Sequence, residues 1–294
     1  MRGVVVAMFP DFLCIGAQKS GTDWLYLNLR IHPEIWTAPI KELHHFDHPS
    51  SMPVITQLVS KSSRRAHLKR SIYRLIKERR KENIQWLGRY LLLPRNDIWY
   101  SSLFPPGLGQ KAGEVTPAYA GLKENIVARI NDLMPNLKII YILRNPVHRT
   151  WSQTAMYSRN SRRQLENIRD DKLFEYFESY GVSRHSNYIR NLQTWEKFYP
   201  KTNFFIGFYD QLAENPRDFI RNIYNFLEVD SSEKVIPDTI NKKINSHQYP
   251  EIPVRLSSYL SHRYYDQIKQ LHQRFANRYT ADWLKFAEHC INAE

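Results

Sequence analysis

The chain reads as a single α/β domain, a mostly parallel central sheet flanked by helices. Two observations predict it. Short apolar runs alternate with stretches of helical spacing through most of the 294 residues, the pattern of strands joined by crossover helices. The run Leu137-Lys-Ile-Ile-Tyr-Ile-Leu143 is nearly continuous apolar, as a strand buried on both faces must be. The length suits one large domain, and no internal repeat stands out.

Strands are expected at 12–16, 35–38, 112–115, 137–143 and 203–209. Helices are expected at 23–31, 65–81, 122–133, 146–157, 187–198, 216–227 and 255–275. Pro146 and Pro216 suit first-turn positions, where the missing N–H costs nothing. Residues 58–106 carry no strand signal and read as a helical insertion, and 241–253 form a polar loop punctuated by proline.

A formal charge of +13 implies an anionic ligand, substrate or surface. Much of the excess lies in 61–81, with ten Lys/Arg against the one acid Glu78. Its Leu68, Ile72, Leu75 and Ile76 recur at helical spacing. Such a basic amphipathic helix is either a solvated face packed by one stripe on the core, or a contact for a membrane surface or polyanion, here centred on 64–81. The two cysteines form no framework; Cys14 lies inside the first strand as a small buried hydrophobe. They point to a reducing, cytoplasmic setting. No apolar stretch approaches the ~20 residues of a membrane span.

The first strand ends in Gly16-Ala-Gln-Lys-Ser-Gly-Thr22, and Trp24-Leu-Tyr-Leu-Asn-Leu29 follows as a helix. A strand, a Gly-bearing loop and a helix N-terminus make an anion cradle for phosphate or sulfate, through backbone N–H groups and the helix dipole. In a Walker A loop the lysine follows the last glycine. Here Lys19 precedes Gly21, so an ATP- or GTP-hydrolysing loop fits poorly. Ligands of parallel sheets bind beyond the carboxyl ends of the strands. The Lys19 loop, Lys41-Glu-Leu-His44, Glu114-Val-Thr-Pro117 and Arg144-Asn-Pro146 each follow an expected strand, so they should meet along one rim.

Two of these stretches resemble a known family. Gly16-Ala-Gln-Lys-Ser-Gly-Thr22, with Trp24-Leu25 and His32-Pro33, resembles the 5′-phosphosulfate loop of sulfotransferases that use 3′-phosphoadenosine 5′-phosphosulfate (PAPS). Tyr141-Ile-Leu-Arg-Asn-Pro-Val-His-Arg-Thr-Trp-Ser152 resembles their 3′-phosphate motif. Lys41-Glu-Leu-His-His-Phe46 and Gly113-Glu-Val-Thr-Pro-Ala-Tyr119 are similar to the segments between them in heparan-sulfate-type and related bacterial members. The resemblance implies the P-loop-kinase-like sulfotransferase fold and in-line transfer of a sulfuryl group to a hydroxyl of a carbohydrate, glycolipid or other small acceptor. A P-loop kinase-like phosphotransferase and a purely basic membrane- or polyanion-binding module are the alternatives; nucleic acid is not expected as a partner.

The resemblance assigns Lys19 to the bridging oxygen of the leaving nucleotide, and Ser20, Gly21 and Thr22 to the 5′ phosphosulfate. Arg144 and Ser152 would grip the 3′-phosphate, and a cation at the end of the 137–143 strand suits direct phosphate contact without a metal. Trp24 either sits near the cofactor or anchors its helix, and Asp23, at a position facing the phosphosulfate, is acceptable as an ordinary first-turn acid. The acceptor needs a base. Glu42 stands where heparan-sulfate-type members carry one, and His44 is the rival; on an extended segment both would share a side. Burial at a strand end is expected to raise the Glu42 pKa toward a useful value. His44 and His48 have i,i+4 spacing beside Asp47, but no metal is expected. Val115 replaces a substrate-touching lysine of several relatives, and Lys242 and Lys243 occupy the place of a late Gly-Arg cofactor loop.

Overall fold

The computed structural model describes residues 8–48, 50–58, 64–78, 81–105, 109–160, 168–242, 244 and 251–293. Five strands, β1 (Phe12–Gly16), β2 (Ile35–Thr37), β3 (Lys111–Val115), β4 (Lys138–Leu143) and β5 (Phe204–Phe208), form one sheet in the order β2-β3-β1-β4-β5. Every pairing is parallel, with Cys14 of β1 opposite Val115 on one side and Ile140 on the other. All carboxyl ends therefore open on one rim.

The strand sequences explain the layering. Alternate side chains leave opposite faces, so Leu13, Ile15, Ile139, Tyr141 and Leu143 enter one core while Phe12, Cys14, Ile140 and Ile142 enter the other. Both faces are apolar because both are covered. Burial pushes the Cys14 thiol up to about 12, which makes it inert packing. Gly113 is required opposite Phe12, since a Cβ there would lie 2.3 Å from the Phe12 ring.

Helices fill the connections. In chain order they are α1 (Thr22–Ile31), α2 (Arg64–Lys77), α3 (Lys81–Leu92), α4 (Asp97–Ser102), α5 (Glu124–Leu133), α6 (Pro146–Asn160), α7 (Asp170–Glu178), α8 (Tyr180–Ser186), α9 (Tyr188–Glu196), α10 (Tyr209–Glu214), α11 (Pro216–Leu227), α12 (Val254–Phe275) and α13 (Arg278–Asn292). On the smaller core, α11 buries Phe219, Ile220, Ile223, Tyr224 and Leu227, and its Asn215 side chain caps the Asp218 N–H. α12 and α13 pack together on the larger core through Leu260, Ile268, Leu271 and Trp283.

Two expectations change. The helix expected over 65–81 is two elements, α2 ending at Lys77 and α3 beginning at Lys81. The charged run between them holds no glycine or proline, so no stop signal was visible. Within 58–106 the described residues hold α2, α3 and α4, the last capped by Asn96, and no strand. The expected strand at 35–38 stops at Thr37. Most of the 241–253 loop, including Lys243, lies outside the described residues.

Candidate active site

The rim collects the polar segments that follow β1, β2, β3 and β4. The β1–α1 loop turns on Gly21, whose φ of 85° is in the left-handed region. A Cβ there would stand 2.5 Å from Leu212 Cδ2, so only glycine fits without a shift. Lys19 also takes a positive φ of 70°, a costly conformation for a side-chain-bearing residue. Ser20 is fully buried, and its Oγ has no hydrogen-bond partner. Gln18 Oε1 is likewise buried and unpartnered. Two such open buried atoms, neighbours in sequence on one loop, leave room for an occupant. Together with the open N–H groups at the start of α1, they fit an anionic group held in the loop.

Arg144 connects this loop to the next. Its Nη1 donates to the Lys19 carbonyl at 2.8 Å, and its guanidinium lies 4.4 Å from the centre of the Tyr209 ring. The Tyr188 hydroxyl donates to the Arg144 carbonyl at 2.9 Å. Arg144 and buried Ser152 share a cavity of 480 Å³ with His148, Trp151, Glu251 and Phe286. Ser152 comes from α6, which Arg149 ties to α8: Arg149 Nε donates to Ser186 Oγ at 2.7 Å, and Nη2 to the Val182 carbonyl at 3.2 Å. Lys19 Nζ lies 3.9 Å from Met156 Sδ, also on α6.

A second cluster follows β2. Lys41 Nζ reaches Glu42 Oε1 at 2.6 Å and Asp23 Oδ1 at 3.0 Å. His44 Nε2 is 3.4 Å from Glu42 Oε2, and His44 Nδ1 is 2.8 Å from Asp47 Oδ2. Beneath them, fully buried Glu114 of β3 accepts from the Tyr100 hydroxyl at 2.8 Å, the Leu43 N–H at 3.3 Å and the Thr116 hydroxyl at 3.2 Å. The Tyr119 hydroxyl accepts from the His45 N–H at 2.9 Å. Glu114 and Tyr119 thus fasten the post-β2 segment to the sheet.

The charges of this cluster are fixed by their neighbours. Burial pushes the Glu42 carboxyl up, but Lys41 and His44 outweigh it and hold it well below the usual range. For Lys41, burial works against the charge, and Glu42 and Asp23 overcome it. Burial also favours neutral His44, yet Asp47 and Glu42 push it up to about 9. Glu114 behaves oppositely: burial raises it to about 7, against the lowering by Tyr100, Tyr119, Thr116 and Leu43. The group therefore holds an anionic Glu42 beside a protonated His44.

Two expectations, the conformation of Glu42 and His44 and the Glu42 pKa, need correction. Glu42 and His44 are not on an extended segment; their φ values are 63° and 54°. The left-handed turns still bring the two side chains together. The Glu42 pKa falls rather than rises, because Lys41 and His44 together outweigh burial. Trp24 is an anchor: its Nε1 donates to the Ile240 carbonyl at 2.9 Å and its ring packs near Phe219. Asp23 is half-exposed and turned to Lys41. His44, Asp47 and His48 do present donor atoms within 4.8 Å of one another.

Sequence reasoning missed Tyr209 and the far wall of the cavity. Tyr209 follows β5 directly, so the same strand-end rule would have found it. Phe286 lies on α13, where Trp283, Phe286, Ala287 and Cys290 recur at helical spacing.

Comparison with known proteins adds an independent line. Residues 9–285 match the model of the sulfotransferase domain. The chain is 25% identical over 224 residues to human heparan sulfate glucosamine 3-O-sulfotransferase 6, an alignment that covers 74% of this chain and 52% of that protein. It is 28% identical over 144 residues to the membrane-associated sulfotransferase kil1 of Dictyostelium discoideum, covering 49% of this chain and 22% of that one. The chain spans about half the length of the curated 3-O-sulfotransferases it matches. Among solved structures, a sulfotransferase from Alicyclobacillus acidocaldarius superposes with a TM-score of 0.63 at 21% identity, over 93% of this chain and 98% of that one.

Proposed function

Because the chain belongs to the sulfotransferase domain family, we propose that it moves a sulfuryl group from PAPS to a hydroxyl of a carbohydrate, glycolipid or other small acceptor. The observation that carries the PAPS reading is the Arg144 guanidinium, which lines a cavity with Ser152 while bonded to the Lys19 carbonyl of the anion loop. One cation thereby serves two anion subsites, as a nucleotide phosphorylated at both its 3′ and 5′ positions requires.

PAPS supplies an activated sulfuryl group on a nucleotide leaving group. Its 5′ end fits the first N–H groups of α1, at Gly21 and Thr22, which have no intrahelical acceptor, and the unpartnered Ser20 hydroxyl. Lys19 places a cation by the leaving phosphate, where negative charge grows during transfer. Arg144 and Ser152 take the 3′-phosphate, Arg144 by charge-assisted bonds. Trp24 and Asp23 support the α1 helix and Lys41 rather than touching the nucleotide.

Glu42 is the acceptor of the hydroxyl proton. His44 already holds its proton at neutral pH, so it cannot take another; Glu42 is ionised and can. A weak base suffices, because the hydroxyl becomes acidic as its oxygen bonds to sulfur. His44 donates to Glu42 and is itself oriented by Asp47, which keeps the carboxylate aimed. The heparan-sulfate relatives act on a glucosamine hydroxyl, as their name states, and a sugar hydroxyl is the acceptor class to test first.

The experiment is transfer of label from PAPS to a panel of sugars and glycolipids, with Glu42→Gln alongside. The variant should lose about 10²–10⁴ in turnover while still binding the product nucleotide, 3′-phosphoadenosine 5′-phosphate (PAP). Unchanged turnover removes Glu42 from the role. A wild-type protein that fails to bind PAP, or transfers phosphate from ATP with Mg²⁺ instead, overturns the reading.

A further inference from the structure

We propose that α2, with the α3 helix packed on it, docks the protein on an anionic lipid bilayer. Three rows run along α2. Leu68, Ile72 and Leu75 form the row that packs on the core. Lys69, Tyr73 and Ile76 form the next, and Arg70, Arg74 and Lys77 the one beyond, each at i, i+4, i+7 or its equivalent. The last two rows face solvent, with Tyr73 69% and Ile76 53% exposed. Residues Arg64–Lys77 contain no acid at all.

The apolar exposure is local. Most of the large apolar side chains exposed among the described residues lie between β2 and β3. On α3, Ile84 and Leu92 are 55% and 61% exposed, on the side opposite buried Trp86, Leu87 and Tyr90. The Val54–Leu58 turn packs on both helices and adds exposed Ile55. Clustered apolar exposure marks an interaction site.

Chemistry selects the partner. Cations beside exposed aliphatic and aromatic side chains match a surface of negative headgroups above an acyl layer. A nucleic acid would satisfy the arginines but offers no apolar sink for Ile76, Ile84 and Leu92. None of these exposed side chains is among the groups proposed for transfer, so the inference stands whether or not that reading does.

The test is co-sedimentation of the intact protein with phosphatidylcholine vesicles, pure or containing about a third phosphatidylserine, in about 0.1 M salt. The wild type should partition onto the anionic vesicles and lose on the order of tenfold on the neutral ones. Arg70→Glu with Arg74→Glu should reduce partition about tenfold. Tyr73→Ser with Ile76→Ser should reduce vesicle partition about tenfold and leave any binding to a short DNA duplex unchanged. These four side chains are exposed, so the thermal midpoint should hold; the single substitutions Arg74→Glu and Ile76→Ser give the same readout if a double variant unfolds early. Absence of partition onto anionic vesicles overturns the inference. So does a serine variant that binds vesicles like the wild type, which would reduce the surface to a general polyanion contact.

Discussion

At the scale of single residues, Arg144 carries the most. It is half-buried, its guanidinium lies over Tyr209 and it is bonded to a backbone carbonyl, so its position is set before any ligand arrives. Arg144→Ala removes the charge, the stack and the bond to the loop together. Calorimetry should show PAP affinity falling by at least about tenfold to a hundredfold, the loss of a charge-assisted contact. Equal affinity would mean that the 3′-phosphate lies elsewhere. The position of Arg144 was legible in sequence, because a cation directly after a continuous apolar strand has few structural uses. The ionisation of Glu42 was not. It depends on two left-handed residues, Glu42 and His44, neither of them a glycine or asparagine that would signal such a turn.

At the scale of elements, the β1–α1 loop is shaped by glycine. Gly21→Ala meets both a φ of 85° and Leu212. Its expected cost is about 1–3 kcal/mol, read as a lowered midpoint in thermal unfolding. PAP binding should weaken with it, since the same turn presents the N–H groups of α1. A variant as stable as the wild type would show that the loop has room to relax. The strands were legible because burial on both faces makes them continuous apolar runs; β4 and β5 are the clearest. The helices α7, α8, α10 and α13 were missed. α7 and α8 are short, with tyrosines and charges spread around them. α13 carries a readable stripe behind Asn277, its cap, which accepts from the Thr280 N–H.

For the whole molecule, buried titrating groups set how stability varies with pH. Glu114 is raised from 4.5 to about 7, so the fold prefers its protonated form. Stability falls as pH rises from about 4.5 through 7. His44 is raised from 6.5 to about 9; its contribution is full below 6.5 and lost as pH rises through 9. Glu42 is lowered from 4.5, so its contribution is present above 4.5 and lost in acid. His45, His148 and His185 are lowered by burial, so they add stability as pH rises toward 6.5 and offset the early Glu114 loss. Together these groups place maximal stability in mildly acid solution, and between there and about pH 9.5 the His44 loss is on the order of 2–3 kcal/mol. Thermal scans should show the midpoint dropping by several degrees. Glu114→Gln should flatten the lower part of that decline and His44→Gln the upper part. A midpoint that climbs from pH 6 to 9 would contradict both assignments.

The bond between Arg144 Nη1 and the Lys19 carbonyl has a consequence for selectivity. It makes the two ends of the proposed nucleotide site partners in one equilibrium. A phosphate that fixes the guanidinium also steadies the loop, and by reciprocity an anion in the loop prepares the guanidinium. A donor lacking the 3′-phosphate then forfeits more than one contact, because it meets a loop with less to hold it. Discrimination between PAPS and its 3′-dephosphorylated counterpart becomes a cooperative property of the rim.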